Sequence, residues 1–260
     1  MAGLEAPKSV RAGSVAAMSN SKNINARERA RLAAEQAAAR KRDRRILIAV
    51  VAGFVLVVVA AGIGFQAWRT YRSPSAVPSS PVSASPVAIA TGHPITLGAS
   101  QAPTTITLYE DFHCPHCADF EEQFGPIIIQ AQESGAARVE LYPMSFIDEG
   151  SAAAANAMAC ATEAGFGQAY YRGLFANHTL QWNDPQLIEL ASKIGGSPSE
   201  AFQTCVTSKA HADWVSSIDD SAEKNGVAQT PTMLINGKSV DIAKLTPDAL
   251  ESMITNATQR

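Results

Sequence analysis

Four adjacent residues, Cys114-Pro115-His116-Cys117, could carry chemistry in this chain. Two cysteines three apart share one face of a helical turn. That spacing lets a disulfide open and close with little backbone movement. A helix starting at Cys114 would aim free backbone N–H groups and the positive end of its dipole at the sulfur. Both favour the thiolate, which is the reactive species. Pro115 suits the first helical position, where no N–H is needed. His116 has a task in this reading, since a partly charged imidazole near Cys114 stabilises the thiolate further. The motif therefore points to a thiol–disulfide redox site, Cys114 and Cys117 being its working pair.

Other chemistries compete for the same residues. The pair could be an inert structural disulfide, and His116 an ordinary polar surface residue. His113 lies at the rim of the site or on the surface. Zinc could take Cys114, His116 and Cys117, but adjacent ligands crowd one side of the metal. Structural zinc sites draw on two separated ligand pairs, and Cys160 and Cys205 are not a second close pair. The expectation is no metal and no cofactor.

Positioning the motif takes a strand before it and a helix after it. Thr105-Ile106-Thr107-Leu108-Tyr109 alternates and is rich in β-branched residues, so it reads as a central strand. Phe120, Phe124 and Ile127/Ile128 recur at helical spacing beyond the cysteines, with Pro126 expected to kink or interrupt that helix. Ile95-Thr96-Leu97 is a short strand, and Arg138 to Tyr142 alternates again before Pro143. Helices follow at Ser151–Ala164 and roughly Gln168–Asn177. A third is capped by Asp184, with Pro185 at its first position and Gly195-Gly196 at its end. Pro198 opens a longer helical stretch, with a possible break, to Asn225-Gly226. Thr232–Ile235 is a strand, and Asn236-Gly237 turns it into a second at Ser239–Ile242. Thr246-Pro247 starts the last helix, with Leu250, Met253 and Ile254 inward. Strand, helix, strand, helical block, hairpin and helix make an α/β domain with a helical insertion at about 150–226.

The chain has 260 residues and a formal net charge of −3, so its overall charge gives no argument for nucleic acid. Its basic residues concentrate between Arg27 and Arg45, a block that could be a nucleic-acid patch. The apolar segment directly after the block favours a topological role instead. Ile46 to Phe65 carries no charge, and as a helix it spans about 30 Å, the thickness of a bilayer core. The run is long for a cleaved signal peptide, though Ala60-Ala61-Gly62 keeps cleavage open. Basic residues ahead of the run place the N-terminus in the cytoplasm and the bulk of the chain outside. The expected order is a basic cytoplasmic tail (1–45, its first 22 residues disordered), a transmembrane anchor (46–67), a Pro/Ser-rich linker (68–90) and an extracytoplasmic domain (91–260). Ser73 to Pro94 would form a tether reaching roughly 60–70 Å when extended. Disulfides persist outside the cell. Four cysteines allow three pairings. With Cys114 joined to Cys117, Cys160 and Cys205 remain as a structural disulfide between two helices of the insertion. A second redox pair and two buried free thiols are the alternatives.

Phe112-His113-Cys114-Pro115-His116-Cys117, followed by Gln229-Thr230-Pro231-Thr232-Met233-Leu234-Ile235-Asn236-Gly237, resembles the DsbA-like branch of the thioredoxin superfamily. The resemblance covers about residues 91–260 and is greatest to the membrane-anchored proteins of the actinobacterial envelope. It implies a thioredoxin fold, Cys114 as nucleophile and Cys117 as resolving cysteine. It implies a cis Thr230–Pro231 bond beside the disulfide, and a backbone at Thr230 that pairs with an extended substrate. It also implies reduced exported proteins as substrates and a membrane reoxidant of the DsbB or vitamin-K-epoxide-reductase type. Two departures bear on the direction of reaction. Thr230 stands where many DsbA-type oxidants have valine, as in isomerase relatives. Leu108 stands where many thioredoxin folds have a buried acid, with Glu110 and Asp111 nearby as substitutes in proton handling. Oxidation of exported thiols is the leading expectation. An isomerase or reductase of the same fold, or a non-catalytic envelope binding or chaperone module, is the alternative.

Overall fold

The computed structural model describes residues 10–75, 87–194 and 198–258. The chain divides into two units, Met1–Phe65 and Gln66–Arg260. In the first, helix α1 (Val10–Tyr71) begins and carries the apolar run, with the large side chains from Ile46 to Phe65 exposed. Its apolar part has a mean hydropathy of 3.1, and it is the one helix among the described residues long and apolar enough to cross a membrane.

The second unit is built on a five-stranded sheet in the order β1-β3-β2-β4-β5. The strands are β1 (Ile95–Leu97), β2 (Thr104–Glu110), β3 (Ala137–Pro143), β4 (Thr232–Ile235) and β5 (Lys238–Ser239). Central strand β2 runs parallel to β3 and antiparallel to β4. Parallel neighbours need a crossover, and α2 (Pro115–Glu133) supplies it. Ile106, Leu108 and Tyr109 of β2 are buried, as the alternating apolar pattern requires for a strand covered by helices. Asn236 and Gly237 both take positive φ, so the β4–β5 turn has the backbone that this dipeptide favours. β5 is shorter than the expected Ser239–Ile242 strand, because the chain turns into a 3₁₀ segment at Ile242–Lys244.

Between β3 and β4 lies the helical insertion: α3 (Glu149–Glu163), α4 (Gly167–Ala176), α5 (Asp184–Lys193), α6 (Glu200–Thr207) and α7 (Ala212–Lys224). The last helix is α8 (Pro247–Thr258), which packs beside α2. Tyr170, Phe175, Trp182 and Trp214 are buried, as their aromatic character suggests.

Several details differ from the sequence expectation. Pro126 leaves α2 uninterrupted. It sits on the exposed face, as does Glu122, the residue whose carbonyl it cannot pair with. Asn183, rather than Asp184, caps α5: its side chain accepts from the Gln186 N–H, and the Gln186 amide returns a contact to the Asn183 backbone. Met253 is 41% exposed, while Leu250 and Ile254 form the inner face of α8. The break in the long helical stretch falls between α6 and α7, where Lys209 has φ +55°.

The start of the expected linker is packed rather than extended. Arg69 donates to the carbonyls of Thr179 and Leu180, and Gln186 donates to those of Arg69, Thr70 and Arg72. The Ser75 N–H donates to Asn177 at 2.6 Å. Residues 76–86 of the tether, Gly195-Gly196 and residues 1–9 lie outside the described residues. From Val10 onward the chain belongs to α1, where a disordered tail was expected.

Candidate redox site

The site forms where β2 ends. Its last residue, Glu110, is followed by a tight loop in which the Cys114 N–H donates to the Asp111 carbonyl at 2.9 Å. Cys114 is then the N-cap of α2, with Pro115 in the first turn. The Cys117 and Ala118 N–H groups both reach the Cys114 carbonyl at 3.1 Å. The Cys114 sulfur consequently lies at the positive end of a 19-residue helix. Both thiols are free; Cys114 is 7% exposed and Cys117 is fully buried. Cys114 is the slightly less buried of the two, an asymmetry that suits stepwise disulfide exchange.

Strand pairing brings the second motif to the first. Tyr109 stands opposite Thr232 across β2 and β4, so the residues just before β4 lie beside the end of β2. Thr230–Pro231 is a cis peptide there, and the Cys114 thiol donates to the Thr230 carbonyl at 3.7 Å. Cys114, Cys117, Thr230 and Pro231 therefore share one site, although more than a hundred positions separate the two segments. His116 is 84% exposed, and its Nδ1 is 3.9 Å from Asp119 Oδ2, too far for a hydrogen bond. It points into solvent at the mouth of the site.

His113 is buried rather than at the surface. Its Nδ1 lies 2.5 Å from Asp148 Oδ1. Asp111, also buried, does structural work. Its carboxylate accepts from the N–H groups of His113, Phe146 and Ile147 and from the Ser151 hydroxyl. Burial raises its pKa and these bonds act against that rise. Together Asp111 and the His113–Asp148 contact tie the β3–α3 turn to the cysteine loop. Phe146 and Ile147 are held half-exposed there.

Leu108 is buried apolar core, and the acid whose charge acts on both cysteines is Glu110. Burial first, then the nearby Glu121, push the Glu110 pKa well above the usual carboxylate range. Burial first and then Glu110 push the Cys117 thiol far up as well. A Cys117 thiol held protonated in this way would have to lose its proton before joining a disulfide. Glu121 and Tyr171 complete this buried group, and the sequence reading missed both. Glu121 was accessible by spacing, four residues past Cys117 on the same helical face. Tyr171 has no local signal, since it arrives from α4.

Cys160 and Cys205 form a disulfide that joins α3 to α6. His211 is beside it, and the three side chains place their ligand atoms within 4.8 Å. Both sulfurs are consumed by the bond, so the cluster offers no thiolate to a metal.

A thioredoxin family model matches residues 90–256. The chain belongs to the thioredoxin family. Within that family its fold is that of the DsbA-type thiol–disulfide oxidoreductases. It is similar to MdbA, a thiol–disulfide oxidoreductase from Corynebacterium diphtheriae, at 25% identity and a TM-score of 0.55, over 69% of this chain and 95% of that one. DsbA from Mycobacterium tuberculosis gives 24% identity and a TM-score of 0.54, over 73% of this chain and 94% of that one. BdbD from Bacillus subtilis gives 21% identity and a TM-score of 0.55, over 73% of this chain and the whole of that one. No curated protein matches the chain significantly by sequence. In this chain a cysteine pair at a helix start faces a cis-proline loop, and β2 and β4 bring the two together.

Proposed function

We propose that this DsbA-type thiol–disulfide oxidoreductase is a membrane-anchored oxidant that donates its Cys114–Cys117 disulfide to exported proteins. The observation that carries the reading is the placement of Cys114: at the N-terminus of α2, slightly exposed, under the Thr230 carbonyl and above a buried Cys117. In the oxidised enzyme, a substrate thiolate attacks the Cys114 sulfur. The Cys114–Cys117 bond breaks, Cys117 takes a proton, and a mixed disulfide links the substrate to Cys114. The substrate's second thiolate then attacks its own sulfur in that bond, and Cys114 leaves as a thiolate at the helix N-terminus. The substrate has lost two electrons and the enzyme has gained them. Thr230 and Pro231 hold an extended substrate segment by strand addition, and the exposed Phe146 and Ile147 add apolar contact.

The apolar run of α1 and the basic block before it support a single-pass anchor. The N-terminus is then cytoplasmic and the catalytic domain extracytoplasmic. A membrane reoxidant of the DsbB or vitamin-K-epoxide-reductase type would restore the disulfide by accepting the two electrons. Cys160–Cys205 is structural in this scheme. One observation favours a second reading, isomerase or reductase: Thr230 occupies the position before the cis-proline, as in relatives that work in those directions.

Refolding of reduced, unfolded ribonuclease tests the assignment. The oxidised protein should restore ribonuclease activity and the Cys114→Ser variant should not. Equal rates with both would contradict catalysis and leave a binding module.

A further inference from the structure

The turn after β3 is held at every residue from Met144 to Asp148. The Met144 N–H donates to the Glu110 carbonyl at 2.7 Å. The Ser145 N–H donates to Asp219 of α7 at 3.1 Å, and the Ser145 hydroxyl bonds the same carboxylate. Asp111 Oδ2 accepts from the Phe146 and Ile147 N–H groups at 3.0 and 3.2 Å. Asp148 Oδ1 lies 2.5 Å from His113 Nδ1 and accepts from the Ser151 N–H at 3.1 Å. Burial acts to raise the Asp148 carboxyl, and contact with His113 turns the shift downward.

The cysteine loop and α7 thus grip a short turn and leave its two middle side chains outside. Phe146 and Ile147 are each 48% exposed. Beyond Val87, the exposed large apolar side chains among the described residues are these two and Met253. A turn free to relax would fold such side chains inward. His113 is the grip with least freedom. Its side chain is 1% exposed, and its Nε2 is buried with no hydrogen-bond partner among the described residues. Gly150, in the first turn of α3, admits the ring: a Cβ there would stand 2.3 Å from His113 Cε1 and 2.3 Å from the Gln181 carbonyl oxygen. An imidazole buried with one nitrogen unpaired destabilises the fold, yet its bond to Asp148 fixes the turn next to Cys114.

Strand order sets what this turn can reach. β3 and β4 flank β2, and the end of β3 lies with the start of β4 beside the end of β2. Cys114 therefore has Thr230–Pro231 on the β4 side and the Phe146–Ile147 turn on the β3 side. Two strand spacings are about 10 Å, a distance that about three extended residues cover.

We propose that His113, through Asp148, is a positioning residue that presents Phe146 and Ile147 to an apolar substrate side chain about three residues from the reacting cysteine. The proposal rests on Cys114–Cys117 being the redox pair and on reduced protein thiols being its substrates. An apolar pair held outward in advance needs no ordering when the substrate arrives. His113 then governs selection among thiols, while the sulfur exchange belongs to the cysteines.

The test mixes the oxidised full-length protein in detergent micelles with three reduced thiols and follows single-turnover reduction of Cys114–Cys117 by quenching, alkylation and mass mapping. The thiols are dithiothreitol and two dithiol peptides that differ only in phenylalanine or serine at the third position from one cysteine. In the wild type the phenylalanine peptide should react at least about tenfold faster than the serine peptide, as burial of one apolar side chain allows. His113→Leu should cut that ratio to about twofold or less. So should Asp148→Ser, which falls at a part-exposed position and keeps a cap for α3. His113→Asn, whose amide replaces Nδ1 as donor, should keep most of the ratio. With Phe146→Ala and Ile147→Ala already in place, His113→Leu should change it no further. Taking the ratio cancels any effect on Cys114 itself, and thermal melts show that each variant is folded. A ratio preserved in folded His113→Leu or Asp148→Ser, or no preference in the wild type, would overturn the proposal. Reaction with dithiothreitol but with neither peptide would instead overturn protein thiols as the substrates, and no reaction at all would overturn the redox-pair reading.

Discussion

Cys114 and Cys117 are free thiols at the mouth of a helix, whereas Cys160 and Cys205 are bonded between two helices of the insertion. Around the first pair lie a positive helix end, a nearby peptide carbonyl and two buried acids with raised pKa values. Around the second lie packed helices, and close by the Phe166, Tyr170 and Phe202 rings make edge contacts. The proposed redox role of the first pair and structural role of the second would thus follow from their surroundings. The redox region holds groups that cost folding free energy, and the insertion supplies covalent and apolar stabilisation that offsets them.

Four variants break or sharpen this contrast. The largest effect is expected from Cys114→Ser, which should lower ribonuclease reoxidation at least about 10³-fold while leaving the fold intact. Next, replacing both Cys160 and Cys205 by alanine should leave the chemistry of Cys114 in place and remove roughly 4 kcal/mol of stability by the chain-entropy relation for a 45-residue separation. Urea unfolding read alongside the activity assay separates the two outcomes. If the double variant lost activity at temperatures where it is folded, the division of labour would be wrong.

A third effect concerns pH. The Glu121 carboxyl titrates at about 7 in the fold against 4.5 for an ordinary one, with burial as the leading cause. A raised carboxyl binds its proton more tightly in the native state. The associated stability is therefore complete below about pH 4.5 and lost as pH rises through about 7. Chemical denaturation across that window should show stability declining, and Glu121→Gln should lessen the decline, with the part due to the raised Glu110 remaining. The smallest effect is expected from His116→Ala. Its exposed side chain should change folding stability by no more than ~0.5 kcal/mol, while the redox potential moves in the reducing direction. An unchanged potential would remove His116 from the chemistry.

The elements that hold the site follow local rules, and they were legible. The alternation of Thr105 to Tyr109, the proline after Cys114 and the Asn236-Gly237 turn each encode their own backbone. The cysteine motif and Thr230-Pro231 were legible as a pair only through family resemblance, because strand pairing rather than proximity in sequence unites them. The burial of His113 against Asp148 was not legible, and neither was the part played by Asp111 in holding the Phe146–Ile147 turn. Those contacts depend on how a turn 35 residues away docks on the cysteine loop. Tyr171 was hidden for the same reason. Its neighbour Tyr170 reads as core, and nothing in the local pattern tells one from the other.

The central claim is that Cys114 and Cys117 form an oxidising pair. Its most direct test is the equilibrium redox potential of that pair in the full-length protein, measured in glutathione buffers with the two cysteines resolved by mass mapping. The account predicts a potential well above the roughly −270 mV of thioredoxin, toward the roughly −120 mV of DsbA. It also predicts that Cys160–Cys205 remains bonded throughout the titration. A Cys114–Cys117 potential at or below thioredoxin's, or titration of Cys160–Cys205 in its place, would contradict it.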